Sequence, residues 1–278
     1  MSSPGTPANS SYNTAVAMEF FRSVGKPRTF AKGKKIFSEN QRGIPFLLMP
    51  NRMYLLLEGE VAIFAKNKPI GTVLPGQIFG EMASIDQGPR SATAVARSSC
   101  RVIGLDHRQI QTALGKKPDF ALMLMSVMIS RVRESIGRIS TSETPLGGTR
   151  ARQSIPLGKE LVADLVRHLG PATRMSYGAG HAIVREGQAG ALMYVVLQGR
   201  VAIQVGGSLV EIVGPGGIFG EMALVDRTPR LATGIAETDC RLLAIDRSAF
   251  LYLVQNSRRF AASLLAAISD RARFMTSR

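Results

Sequence analysis

Glu81 and Arg90 stand nine residues apart in FGEMASIDQGPRSATAVA (79–96), set among small residues. Glu221 and Arg230 repeat the arrangement in FGEMALVDRTPRLATGIA (219–236). A carboxylate offers only acceptors, which suits a sugar hydroxyl and not a phosphate. Arginine presents a planar fork to an anionic oxygen. Gly80 and Gly220, each after a phenylalanine (Phe79, Phe219), let backbone approach a ligand closely. If Met82-Ala83 and Met222-Ala223 open a short helix, the free N–H groups of its first turn favour an anion. Ser91-Ala92 and Leu231-Ala232 leave room beside each arginine and offer backbone donors. An exposed acceptor and an anion clamp on one loop fit a ribose fused to a phosphate.

The elements that must hold these residues also come twice. At a constant offset of 140, MYLLLEGEVAI (53–63) matches MYVVLQGRVAI (193–203), and the R-x-R of 131–133 matches that of 271–273. One offset kept over about eighty residues marks a duplicated domain, not a solenoid unit. Upstream the register slips by seven: Glu39 and Glu186 are equivalent, and QRGIPFLLMPNRM lengthens the first copy. Each copy opens on a short amphipathic helix, AVAMEFFRSV (15–24) or ELVADLVRHL (160–169). Short β-rich runs with Gly turns follow, as in a small antiparallel barrel or sandwich. A helix capped by Asp106 or Asp246 comes next, with Gln109 at the capping-box position of the first. A longer helix closes each copy, PDFALMLMSVMISRVRESIGRI (118–139) or SRRFAASLLAAISDRARFM (257–275). It has apolar surface enough for its own copy and a partner helix. The segment 140–158, rich in Ser, Thr, Gly and Pro, has the composition of a linker. The division is therefore a disordered tail (1–14), domain 1 (15–139), the linker (140–158) and domain 2 (159–278).

The F-G-E-M-A…P-R-x-A-T stretch, in this order of elements, resembles the phosphate-binding cassette of cyclic nucleotide-binding domains. That family includes bacterial cAMP-receptor (Crp/Fnr-like) proteins and protein kinase A regulatory subunits. The resemblance covers nearly all of 15–139 and 159–275. It implies a mainly β fold with flanking helices: two tandem jelly-roll (double-stranded β-helix) barrels, each followed by a long C-terminal helix. It implies that Glu81 and Glu221 bind a ribose 2′-hydroxyl and that Arg90 and Arg230 pair with the cyclic phosphate. The ligand-binding set in the first copy is then Phe79, Gly80, Glu81, Met82, Ala83, Arg90, Ser91, Ala92 and Ser135. In the second it is Phe219, Gly220, Glu221, Met222, Ala223, Arg230, Leu231 and Ala232. Ser135 falls where the bacterial cAMP receptor places a hydroxyl against the adenine, and Met275 would be an apolar lid in the second copy. Leu231 in place of Ser91 points to a weaker or differently selective second pocket. A hydroxyl such as that of Ser91 also serves cGMP-preferring members. Arg131, Arg133, Arg271 and Arg273 are read as surface charges.

The formal net charge is +15, with 19 Lys and Arg against 9 Asp and Glu in residues 1–140. Such a balance favours anionic partners without choosing among nucleotides, nucleic acid and acidic membranes. Cys100 and Cys240 are too few for a disulfide framework and lack metal-ligand spacing. No apolar run is long enough to span a bilayer and none marks a signal peptide, so the expectation is a cytoplasmic protein without membrane contact. His107, His168 and His181 are scattered, and neither a P-loop nor H-E-x-x-H is present. The expected function is a non-enzymatic sensor of a cyclic nucleotide, cAMP before cGMP and without a metal. It would move its C-terminal helices on binding and act on a separate protein partner. A Crp/Fnr-like DNA-binding regulator is the alternative, although no helix-turn-helix is found. A scaffold with silent barrels is the second alternative. Pairing of the long helices would give a homodimer, or the two copies would satisfy each other within one chain.

Overall fold

The structure is a computed structural model that describes residues 13–43, 51–140 and 151–276. Most of the polar N-terminal tail, the first copy's extra stretch 44–50 and the linker residues 141–150 lie outside them. The first copy begins with α1 (Thr14–Val24), capped by Asn13, whose side chain accepts from the N–H groups of Ala15 and Val16. Its strands are β1 (Lys26–Phe30), β2 (Lys35–Phe37), β3 (Arg52–Glu58), β4 (Val61–Ala65), β5 (Lys68–Val73) and β6 (Ile78–Phe79). The short α2 (Glu81–Ile85) then precedes β7 (Thr93–Ala96) and β8 (Cys100–Asp106), and α3 (His107–Lys116) and α4 (Pro118–Ser140) close the copy. The linker contributes β9 (Arg152–Gln153). The second copy runs α5 (Lys159–Leu169), β10 (Arg174–Tyr177), β11 (Ala182–Val184), β12 (Leu192–Gln198), β13 (Val201–Val205), β14 (Ser208–Val213) and β15 (Ile218–Phe219). It ends with α6 (Glu221–Asp226), β16 (Thr233–Ala236), β17 (Cys240–Asp246), α7 (Arg247–Asn256) and α8 (Arg258–Thr276).

Each jelly roll is a pair of antiparallel sheets sharing one core. The first copy has the strand orders β1-β8-β3-β6 and β2-β7-β4-β5. The second repeats them as β10-β17-β12-β15 and β11-β16-β13-β14, to which β9 adds a parallel edge. Register repeats as well: Tyr54 faces Phe79 as Tyr194 faces Phe219. Alternation along the strands does the sorting. Tyr54, Leu56 and Val102 pack with Phe37, Val61, Val73 and Ala94 between the sheets. Their neighbours Met53, Leu55, Ile103 and Leu105 point the other way, onto the helices. The seven-residue slip is visible in the bonding. Glu39 accepts from the Lys66 N–H at 2.8 Å, and Glu186 from that of Gly206 at 2.9 Å.

The helices form a single layer shared by both copies. Phe120, Leu124 and Met128 of α4 and Phe260, Leu264 and Ile268 of α8 belong to one buried cluster. Each such side chain removed from water contributes about 1.5–3 kcal/mol. The long helices thus pair within the chain. Asp106 caps α3 in a full capping box with Gln109, and Asp246 caps α7. One departure from expectation is the linker. Arg152 is buried rather than solvated, because Glu211 and Asp270 both receive its guanidinium.

Candidate functional site

The FGE turn is built around a left-handed glycine. Gly80 (φ 73°) and Gly220 (φ 83°) take the N-cap positions of α2 and α6. A Cβ on Gly80 would stand 2.8 Å from Nη1 of Arg90 and 3.2 Å from the Arg52 carbonyl oxygen, so glycine is needed for space as well as for conformation. The arginine lies against this turn. Arg90 donates from Nη1 to the Gly80 carbonyl and from Nη2 to that of Arg52, both at 2.8 Å, and stacks 4.1 Å from the Phe37 ring centre. It is 5% exposed, and its Nε finds no hydrogen-bond partner among the described residues. Burial pushes the guanidinium down to about 10, against the pull of Tyr54 and Glu81. Arg230 repeats the arrangement on the Gly220 and Leu192 carbonyls, and burial lowers it too. Each arginine is held by backbone carbonyls, and neither makes an ion pair among the described residues.

The carboxylates depart from the expected exposed acceptors. Glu81 is 4% exposed and Glu221 is fully buried. They are covered because an arginine from each long helix reaches over them. Nε of Arg131 stands 3.8 Å from Oε1 of Glu81, while Arg271 makes a close ion pair with Oε1 of Glu221. The second Glu221 oxygen has no partner among the described residues.

All nine residues expected in the first copy line one cavity of about 430 Å³, together with Phe37, Ile63, Gly71 and Arg131. The eight expected in the second line a cavity of about 70 Å³. Met275 is among the residues that line it. Ser91 sits 3.4 Å from the sulfur of Met82, a polar contact that Leu231 cannot make.

Sequence reasoning missed what each cavity draws from the other copy. Thr276 of α8 lines the first cavity, and Val132 and Ile136 of α4 line the second. The offset of 140 carried the signal, since it pairs Thr276 with Ile136 just after Met275 and Ser135. The reading of the R-x-R arginines as surface charges is wrong for Arg271, which is buried, and incomplete for Arg133 and Arg273, which are partly exposed but bridge the two copies. Arg133 ion-pairs with Asp226 of the second copy at 2.8 Å, and Arg273 with Asp86 of the first at 2.7 Å. Arg271 is 8% exposed and also holds Glu211 at 2.8 Å. Arg131 and Arg133 both stay partly open to solvent, at 33% and 26%. The histidines lie outside both cavities: His107 bonds the Ser84 carbonyl at 2.9 Å, and His181 packs on the Tyr177 ring. Among the described residues, no group of His, Cys, Asp and Glu is placed to hold a metal, and no helix is long and apolar enough to cross a membrane.

The family model for the cyclic nucleotide-binding domain matches residues 27–117 and 174–257. A cGMP-dependent protein kinase of Toxoplasma gondii is 26% identical over 84% of this chain and 20% of its own length. A cAMP-dependent protein kinase regulatory subunit of Eremothecium gossypii is 27% identical over 81% of this chain and 43% of its own. The chain thus spans less than half the length of either relative. Among solved structures, the regulatory domain of Toxoplasma gondii PKA with cAMP aligns over 86% of both chains at 23% identity and a TM-score of 0.31.

Proposed function

The chain belongs to the cyclic nucleotide-binding domain family, and from that premise we propose that it is a regulatory, non-catalytic sensor of a cyclic nucleotide. The ligand enters the first cavity, and the response passes through α4 and α8 to a separate protein. Arg90 carries this reading. A buried guanidinium without an ion pair among the described residues, beside a cavity of ligand size, lacks one component, an anion. A cyclic phosphate supplies it, and Glu81, on the same turn, accepts the ribose 2′-hydroxyl. The nucleotide is cAMP before cGMP, because Ser135 is buried in the wall of the same cavity, where the resemblance sets a hydroxyl against adenine. The domain boundaries 15–139 and 159–278 go with this reading. A kinase catalytic chain is the partner class suggested by the names of the regulatory-subunit relatives.

Calorimetric titration with cAMP and cGMP tests it. The expected result is saturable binding, tighter for cAMP, with the preference reduced in Ser135→Ala. No heat from either nucleotide would overturn the reading, and salt-dependent binding to duplex DNA would then favour the DNA-binding alternative.

A further inference from the structure

The two cavities differ about sixfold in volume although their cassettes share the Phe-Gly-Glu-Met-Ala and Pro-Arg residues. Ligand pockets run to about 300–1,000 Å³, so the first is in range and the second is not. The difference comes from the walls. Where the first copy has Gly71 on β5, the second has Glu211 on β14, buried to 2% exposure. A charge at that depth persists only if it is paired, and Glu211 is paired twice. Arg271 donates to it from Nε at 2.8 Å and from Nη2 at 3.2 Å, and Arg152 of the linker strand makes a close ion pair with the oxygen that takes Nη2. Arg271 also takes Glu221, and Arg152 also takes Asp270. Leu231 replaces Ser91, and Met275 and Ile136 replace Ser135 and Thr276, so the remaining walls are apolar as well. The space left beside the unpartnered Glu221 oxygen suits water, not a nucleotide.

We propose that the second pocket is closed by the chain itself, so that the protein takes one cyclic nucleotide per chain, in the first pocket, and that Glu211 is the residue that decides between them. The inference rests on the sensor reading for the first pocket and adds its stoichiometry. For a nucleotide to enter the second pocket it must separate Arg271 from Glu221 and displace the Glu211 carboxylate. That displacement strips Arg152 and the linker strand of a partner. Closure therefore makes the second copy a fixed counterpart that lends α8 to the first.

The test is calorimetry on the full chain with cAMP and cGMP, using the wild type, Arg90→Ala, and Arg90→Ala combined with Glu211→Gly, Leu231→Ser and Met275→Ser. The wild type should bind one equivalent. Arg90→Ala should weaken it about 100-fold or more, the loss expected of a charge-assisted fork to phosphate, and should leave no other site. The combined variant should regain one site, now in the second copy, and the same variant with Glu211 restored should not. Two equivalents in the wild type, or a site surviving Arg90→Ala, would overturn the inference and leave the sensor reading standing. No binding to the wild type would sink the sensor reading and this inference with it. A combined variant that keeps its circular dichroism yet gains no site would show that Glu211 does not decide. If that variant fails to fold, the stoichiometries of the first two proteins still settle whether the second pocket is closed.

Discussion

Burying a guanidinium without a carboxylate is costly, and Arg90 offsets the cost with two backbone carbonyls and the face of Phe37. Lysine cannot copy that geometry, because its ammonium is a point charge without a fork. Arg90→Lys is therefore expected to bind nucleotide at least about 10-fold more weakly than wild type, a loss of about 1.4 kcal/mol. Equal affinities by titration would mean that charge alone holds the phosphate. Glu211 poses the opposite case. Burial works to raise its carboxyl, but Arg271 and Arg152 outweigh burial and hold it below the ordinary range. A carboxyl depressed on folding adds stability that is complete above its unfolded value, about 4.3. That stability is lost as pH falls through the folded value. At pH 7, Glu211→Gln should cost about 3–5 kcal/mol, because two buried arginines lose a shared partner. The gap to wild type should narrow below about pH 4 as the wild-type carboxyl is protonated. Urea midpoints that stay equally far apart from pH 7 down to acid would refute the linkage.

At the scale of elements, most of the architecture was readable from the offset of 140, because equal spacing of apolar and glycine positions fixes equal strands and turns. The cassettes were readable too, since a left-handed glycine, a carboxylate and an arginine on one turn leave little freedom in what they face. Gly80→Ala should cost about 1 kcal/mol for its positive φ alone. The added methyl must also push Arg90 off its carbonyls, so nucleotide affinity should fall with stability. Chemical denaturation and titration of the same variant check both, and a loss of stability with intact affinity would show that the turn does not position Arg90. The inward carboxylate of β14 was not readable. Glu211 is the one charged residue of the strand SLVEIV, and its partners come from residues 152 and 271, far apart in sequence. The exposed carboxylates expected at Glu81 and Glu221 failed for the same reason: the arginines that cover them arrive from the long helices.

At the scale of the whole molecule, the copies are locked by a crossed pair of contacts. Arg133 of α4 holds Asp226, inside the cassette of the second copy at the end of α6, and Arg273 of α8 holds Asp86, inside that of the first just past α2. The two pairs are related by the offset of 140, an approximate two-fold arrangement inside one chain. The Arg273 contact is the denser. Its Nη2 lies 2.7 Å from both Asp86 oxygens, and Ser269 adds a hydroxyl to the Met82 carbonyl at 3.3 Å. Asp86 is the C-cap of α2, the helix that carries Glu81 and Met82, so α8 holds the end of that helix while Thr276 lines the first cavity. Nucleotide in the first copy must therefore be felt by a helix of the second. Arg273 is thereby a positioning residue. Arg273→Ala should cost about 1–3 kcal/mol of stability, the worth of hydrogen bonds to a charged group. It should weaken nucleotide binding although the residue touches no ligand. In a double-mutant cycle with Asp86→Ala, both losses should be strongly non-additive, because the second substitution removes a partner already gone. By reciprocity, nucleotide should slow amide exchange along the last turns of α8 in wild type but not in Arg273→Ala. Additive losses, or protection of α8 that survives the substitution, would show that the crossed pair serves packing alone and that the first pocket is not coupled to the second copy through Asp86.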